Sequence, residues 1–173
     1  FQDSQLTLKL VEVPYWSAVD ELCHRSGNKV RLHYDNREPG IALIAGRASS
    51  GPLAYAGPFR AQVTQAHRQF QEKLTFAEEA PQQTHSFELE VQVLWEDRFR
   101  LVAFRNNPEV VEAVTDTGAV LTPQQPNIGG WQVVGPTMRQ LTTRLAIAPP
   151  PVAAKQLDRL TLKWGMIAIG SMQ

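Results

Sequence analysis

The sequence predicts an α+β fold, with a small β-α-β-β unit followed by a mainly antiparallel β-sandwich. Three observations predict it. An alternating stretch runs through a proline into one amphipathic helical stretch near the start. Short apolar/polar alternations, punctuated by Gly, Pro and Asn, then fill the rest of the chain. Those periods, 3.6 once and about 2 many times, separate a helix from half-buried strands.

Taken in order, Leu6, Leu8 and Leu10 alternate with Thr7 and Lys9, as a strand with one face buried does. Pro14 follows and suits a first helical position, where a missing N–H costs nothing. Tyr15, Ala18, Val19 and Leu22 keep i, i+3, i+4, i+7 spacing, and Trp16 and Cys23 widen the apolar stripe. Ser17, Asp20, Glu21, His24 and Arg25 fall mainly on the other side. Gly27 suits the end of the helix, since glycine enters the left-handed conformation cheaply. Val30, Leu32 and Tyr34 then alternate, and Ile41–Ala45 is a further strand. Residues 1–50 are thus expected to form one α/β module and residues 51–173 the sandwich.

Within residues 51–173, alternation runs through Pro58–Thr64, His67–Phe76 and, most clearly, Phe87–Trp95. An Asp97-Arg98 turn leads to Phe99, Leu101 and Ala103. Val110–Thr115, Ala119–Leu121, Trp131–Val134, Met138–Ile147, Leu157–Trp164 and Ile167–Ile169 complete the series. Pro149-Pro150-Pro151 has no place in a central strand and is expected to be an extended connection.

The segment "LTLKLVEVPYWSAVDELCHRSGNKVRLHY" resembles the short N-terminal domain shared by secretins and TonB-dependent receptors. The residues that carry the likeness are Val13, Pro14, Tyr15, Ala18, Val19, Leu22, Ser26, Gly27, Val30 and Leu32. That family continues with a second small helix. Here Gly40–Pro58 is rich in Gly, Ala and Ser and shows none, so the module is abbreviated. The longer arrangement, with "GPLAYAGPFRAQV", "FELEVQVLWEDRFRLV" and "PEVVEAVTDTGAVL" after the module, is similar to uncharacterised envelope or secreted proteins of planctomycete-type bacteria. The resemblance implies a periplasmic or extracellular docking unit, not an enzyme, with a protein partner or a second copy of itself as its ligand.

Composition narrows the function classes. Lys plus Arg and Asp plus Glu number 17 each, for a net charge of zero. A dedicated nucleic-acid binder needs a basic surplus to neutralise phosphates, so none is expected as partner. Zero net charge also leaves self-association unopposed. With one cysteine, Cys23, there is no intrachain disulfide and no cysteine-based zinc site. No apolar run approaches the roughly 18 residues of a spanning segment. Phe1 in place of Met is expected of a chain that has lost a leader or of a fragment.

Several motifs look chemical. Asp116-Thr117-Gly118, followed by Ala119, resembles the D-T-G-A signature of retroviral-type aspartic proteases, in which two Asp residues share a proton across a dimer. Asn127-Ile128-Gly129-Gly130 is a candidate for the later apolar-Gly element. Against this, Thr115 stands where an apolar residue belongs, and Asp-Thr-Gly between two strands is a turn sequence. His24, His33, His67 and His85 lack i, i+4 spacing; His67 and His85 are expected to meet only across a hairpin, as a surface pair. Cys23 lies on an apolar stripe and is expected to be a buried small hydrophobe. No G-x-S-x-G elbow and no phosphate-cradling glycine loop occurs. Glu96-Asp97-Arg98 and Glu78-Glu79 are acidic but fall at expected loops without EF-hand spacing. Of Trp16, Trp95, Trp131 and Trp164, Trp131 follows Gly129-Gly130 in a polar loop and is the one expected to be exposed. It is the candidate binding residue, for a sugar ring. The sequence thus predicts no cofactor, no metal and no catalytic residue. Asp116 as an aspartic-type hydrolase and Trp131 as a carbohydrate platform remain the alternatives.

Overall fold

The computed structural model describes residues 7–34, 39–46, 51–73, 82–124 and 129–169. Leu6, Phe76, Glu78, Glu79, Asn127 and Ile128 lie outside them. The described chain is mostly antiparallel β-sheet with one short helix.

The helix, α1, spans Tyr15–Ser26. Pro14 is its N-cap (φ −56°, ψ 145°), not its first helical residue, and its carbonyl accepts the Ala18 N–H at 3.0 Å. Gly27 ends it in the left-handed conformation (φ 66°), which a Cβ would disfavour. Two strands follow, β1 (Asn28–Tyr34) and β2 (Pro39–Ala45), paired with each other from Asn28↔Ala45 to Tyr34↔Pro39.

Of the strand expected at Leu6–Leu10, the described residues 7–10 carry no regular structure, and Val11 and Glu12 bend (Glu12 φ 53°). The physical reason is twofold. An alternating pattern becomes a strand only beside a partner edge, and none of the described strands pairs with it. Its phase also breaks, because Leu8 and Leu10 lie on one parity and Val11 and Val13 on the other.

The central sheet orders β3 (Leu53–Ala56), β4 (Phe59–Lys73), β5 (Gln82–Trp95) and β9 (Gln140–Ile147) as β3-β4-β5-β9. A second sheet has the order β11-β6-β8, from Met166–Ile169, Arg100–Arg105 and Trp131–Val133. A third pairs β10 (Leu157–Lys163) with β7 (Glu109–Thr115). A single hydrophobic cluster joins all three: Val91, Val93, Trp95 and Ile147 from the first, Leu101 and Phe104 from the second, Ala113 from the third.

Register explains which side chains reach that cluster. Phe59↔Trp95, Ala61↔Val93 and Val63↔Val91 face inward. The alternation slips at Thr64, where the register shifts between Val63 and Gln65, and Ala66↔Leu89 restores the inward face. A bulge of this kind absorbs one residue without exposing the remaining apolar side. Before Phe87 β5 has no partner but β4, so Gln69–Lys73 and Gln82–Ser86 form a two-stranded arm with nearly all side chains exposed.

Part of the outward face of the central sheet is covered by the N-terminal elements. Trp16 and Cys23 are each 1% exposed, and the Trp16 indole N–H donates to the Pro58 carbonyl at 2.8 Å. Leu94, on the outward parity, is nonetheless buried, and a small hollow there is shared with Val30 and Leu32 of β1.

Candidate functional site

The first feature of note is a groove where the central sheet ends. β3 is one edge of that sheet, and β10 is an edge of the β10-β7 pair. Between them runs an apolar groove of about 560 Å³. Its floor and walls include Ala54, Ala56, Phe59, Ala61, Val63 and Ala66 on one side and Leu157, Leu160 and Leu162 on the other. The hollow has a simple cause. The inward positions of β3 are Ala54 and Ala56, opposite Ala61 and Phe59. Alanines at these positions leave space that the Trp95 end of the same sheet fills with an indole. Asp158 and Gln156 supply polar groups at the rim.

The edge of β3 is chemically open. The Val63 N–H donates to the Pro52 carbonyl at 3.0 Å. Main-chain groups of an edge strand point alternately to its neighbour and away. Those of Pro52, Ala54 and Ala56 therefore face β4, and those of Leu53 and Tyr55 face outward. Among the described residues no backbone group pairs with that outer edge.

Next to this edge, α1 is pinned to the sheet by charge. Asp20 Oδ2 accepts both the Arg60 Nε–H at 2.7 Å and the Tyr55 O–H at 2.8 Å. The Arg60 side chain is 8% exposed and that of Asp20 18%, so the pair is largely shielded from solvent. Burial, and then the hydrogen bond to Asp20, push the Tyr55 phenol up from 10.0 to about 12. The folded state therefore holds this proton more tightly than the unfolded chain. Its contribution to stability is whole below pH 10 and is lost as pH rises from 10 to about 12. Denaturant unfolding at stepped pH is expected to show that loss, and Tyr55→Phe is expected to remove its share of the slope. Burial also raises the Cys23 thiol, with the Asp20 charge adding to it and Arg60 opposing. A buried thiol of raised pKa is unreactive, as its place on the helix stripe implied.

A second cleft, of about 720 Å³, lies between β8 and β9. It is polar, with Asn106, Asn107, Gln132, Gln140 and Arg144 around Phe104 and Leu141. Thr143 closes part of it by donating to the Asn106 carbonyl at 3.2 Å. Trp131 is beside this region but does not line it. Trp131 is 49% exposed, and the Arg105 guanidinium sits 5.6 Å from its ring centroid, over one face. Of the other tryptophans, Trp16 and Trp95 are each 1% exposed, and Trp164 is half-buried with its indole N–H on the Arg105 carbonyl at 2.6 Å.

Asp116 occupies an exposed turn after β7. Thr115 and Ala119 close that turn with a 3.0 Å backbone bond, and Gly118 takes φ 80°. The Asp116 carboxylate accepts the Lys155 N–H at 3.1 and 3.3 Å, and its own N–H donates to the Gln156 carbonyl at 3.1 Å. Asp116 thus anchors the chain entering β10. Thr115, polar where the protease pattern wants an apolar residue, is 2% exposed and bonds Thr117 Oγ1 at 2.9 Å and the Ala119 N–H at 3.1 Å.

The histidine pair expected across the hairpin does not meet. His67 lies opposite Glu88 and His85 opposite Phe70. Three positions separate Glu88 from His85, so the two rings leave opposite faces of the ribbon. His85 instead packs edge-on against Phe70 (4.8 Å between centroids), and His67 bonds Gln65 at 2.8 Å. His24 is exposed on α1, and His33 lies within β1. Glu96 is buried and paired with Arg98, while Asp97 pairs with Arg139 at 2.9 Å. Among the described residues no group of three His, Cys, Asp or Glu side chains is placed to hold a metal ion. Nor is any described helix long and apolar enough to cross a membrane.

The groove and the Asp20–Arg60–Tyr55 cluster escaped sequence reasoning. The cluster has no sequence signal, since Asp20 and Arg60 are 40 positions apart. For β3 the signal was present: Leu53 and Tyr55 alternate with alanines just before a Gly57-Pro58 turn. Comparison with protein-family models, with curated proteins and with solved structures finds no match.

Proposed function

We propose that this chain is a non-catalytic interaction or structural module of the bacterial cell envelope, periplasmic or extracellular, that takes up an extended protein strand in the groove between β3 and β10. One observation carries the reading: an apolar groove flanked by an edge strand whose outward main-chain groups have no described partner. Strand addition uses both features, the main chain for affinity and the pockets for alternate side chains. In this reading residues 51–173 are a β-sandwich open along one side, and residues 1–50 are the abbreviated secretin-type module that braces it. The shared core of the three sheets supports the first part, and the Val13–Leu32 resemblance supports the second and the envelope location.

Selection from a library of displayed peptides tests this. Binders are expected to be extended, with apolar residues at every second position, and to be lost in Ala54→Glu, which sets a carboxylate in the groove at an exposed position. Binders indifferent to that substitution would contradict the reading.

The exposure of Trp131 favours a second reading, carbohydrate binding. Its free ring face would stack on a sugar, and a polysaccharide would then quench tryptophan emission in the native chain but not in Trp131→Ala. The groove is preferred because Arg105 already covers one face of the indole.

A further inference from the structure

We propose that the strand taken up by the groove is the Thr7–Leu10 segment of a second copy of this chain. This deepens the reading above and rests on it. Leu8 and Leu10 share one parity and would both enter the groove, toward Ala54, Ala61 and Leu160. Lys9, between them, would face the rim, where Asp158 is exposed and has no ion-pair partner among the described residues.

Three observations favour this occupant. The segment is patterned as a strand, yet it forms none in the single chain. Its apolar residues and those that link it to α1 are largely open to solvent: Leu8 is half-buried, Leu10 is 42% exposed, Val11 68% and Val13 40%. In the single chain residues 7–10 are not among those that line the groove. A net charge of zero does not oppose the approach of two copies. The contact joins groove to strand; it is two-fold and closes as a dimer when each copy lends its segment to the other, and otherwise runs head to tail into larger species.

The test is mass by light scattering over a concentration series, for the native chain, for the double variant Leu8→Glu/Leu10→Glu and for Ala54→Glu. The native chain is expected to form a dimer or larger species, and both variants to stay monomeric over the same range. Mixing Leu10→Cys with Ala54→Cys chains is expected to give a disulfide between them under oxidising conditions, absent when either is alone; Cys23 is buried and silent. A native monomer at every concentration overturns the proposal. So does an assembly that Leu8→Glu/Leu10→Glu leaves intact. If Ala54→Glu abolishes that assembly, the groove still docks a strand and only its occupant was misassigned. If selected peptides are also indifferent to Ala54→Glu, the groove itself is not the docking site.

Discussion

Replacing Trp95 with Ala is expected to lower the free energy of unfolding by about 3–5 kcal/mol. The indole is 1% exposed, ends β5 opposite Phe59, and belongs to the cluster that joins the three sheets. Truncation removes its packing and leaves a cavity among the residues of that cluster. A second feature sharpens the expectation. The Trp95 indole N–H is buried without a hydrogen-bond partner. Such a donor has given up water for nothing, a cost of roughly 1–3 kcal/mol. Trp95→Phe removes that donor while keeping a ring, so it is expected to lose less than half of what the alanine variant loses. Denaturant unfolding of the two variants checks the ratio. Equal losses would contradict the expectation that ring packing dominates at this site.

The second large effect is expected at Asp20. Asp20→Ala leaves the Arg60 guanidinium, 8% exposed, without its anion and the Tyr55 hydroxyl without its acceptor. Breaking a shielded pair from one side costs about 3 kcal/mol or more, because the stranded charge remains buried. Removing both charges together, in Asp20→Ala/Arg60→Met, is expected to recover most of that loss. A double-mutant cycle measures the difference. Additive losses would show that the two residues do not act as a pair.

How much of this was legible in the sequence depends on what kind of information each feature needs. The helix was legible because one apolar stripe and a terminal glycine are local signals. β5, β7 and β9 were legible because alternation is local too, and the Asp97-Arg98 and Asp116-Thr117-Gly118 turns followed from the strands on either side. Pairing is not local. Leu6–Leu10 has the pattern of a strand, yet no described strand pairs with residues 7–10. β3 has the edge, but its alanines mute the pattern. His67 and His85 were placed on one hairpin correctly, yet whether two residues face each other depends on a register that a single slip reverses. The groove is the extreme case. It arises from Ala54 and Ala61 standing opposite Leu160 across a gap between two sheets, a juxtaposition that no window of sequence contains. Trp131 was legible as exposed because glycines and polar residues flank it; Arg105 over its ring was not.

The most direct measurement is amide hydrogen exchange at Leu53 and Tyr55 with and without the tightest-binding selected peptide. These are the two β3 amides that face away from β4. If the groove takes up a strand, both slow on binding, while the Ala54 amide, already held against β4, changes little. Peptide binding that leaves Leu53 and Tyr55 exchanging at their free rates would contradict strand uptake at this edge.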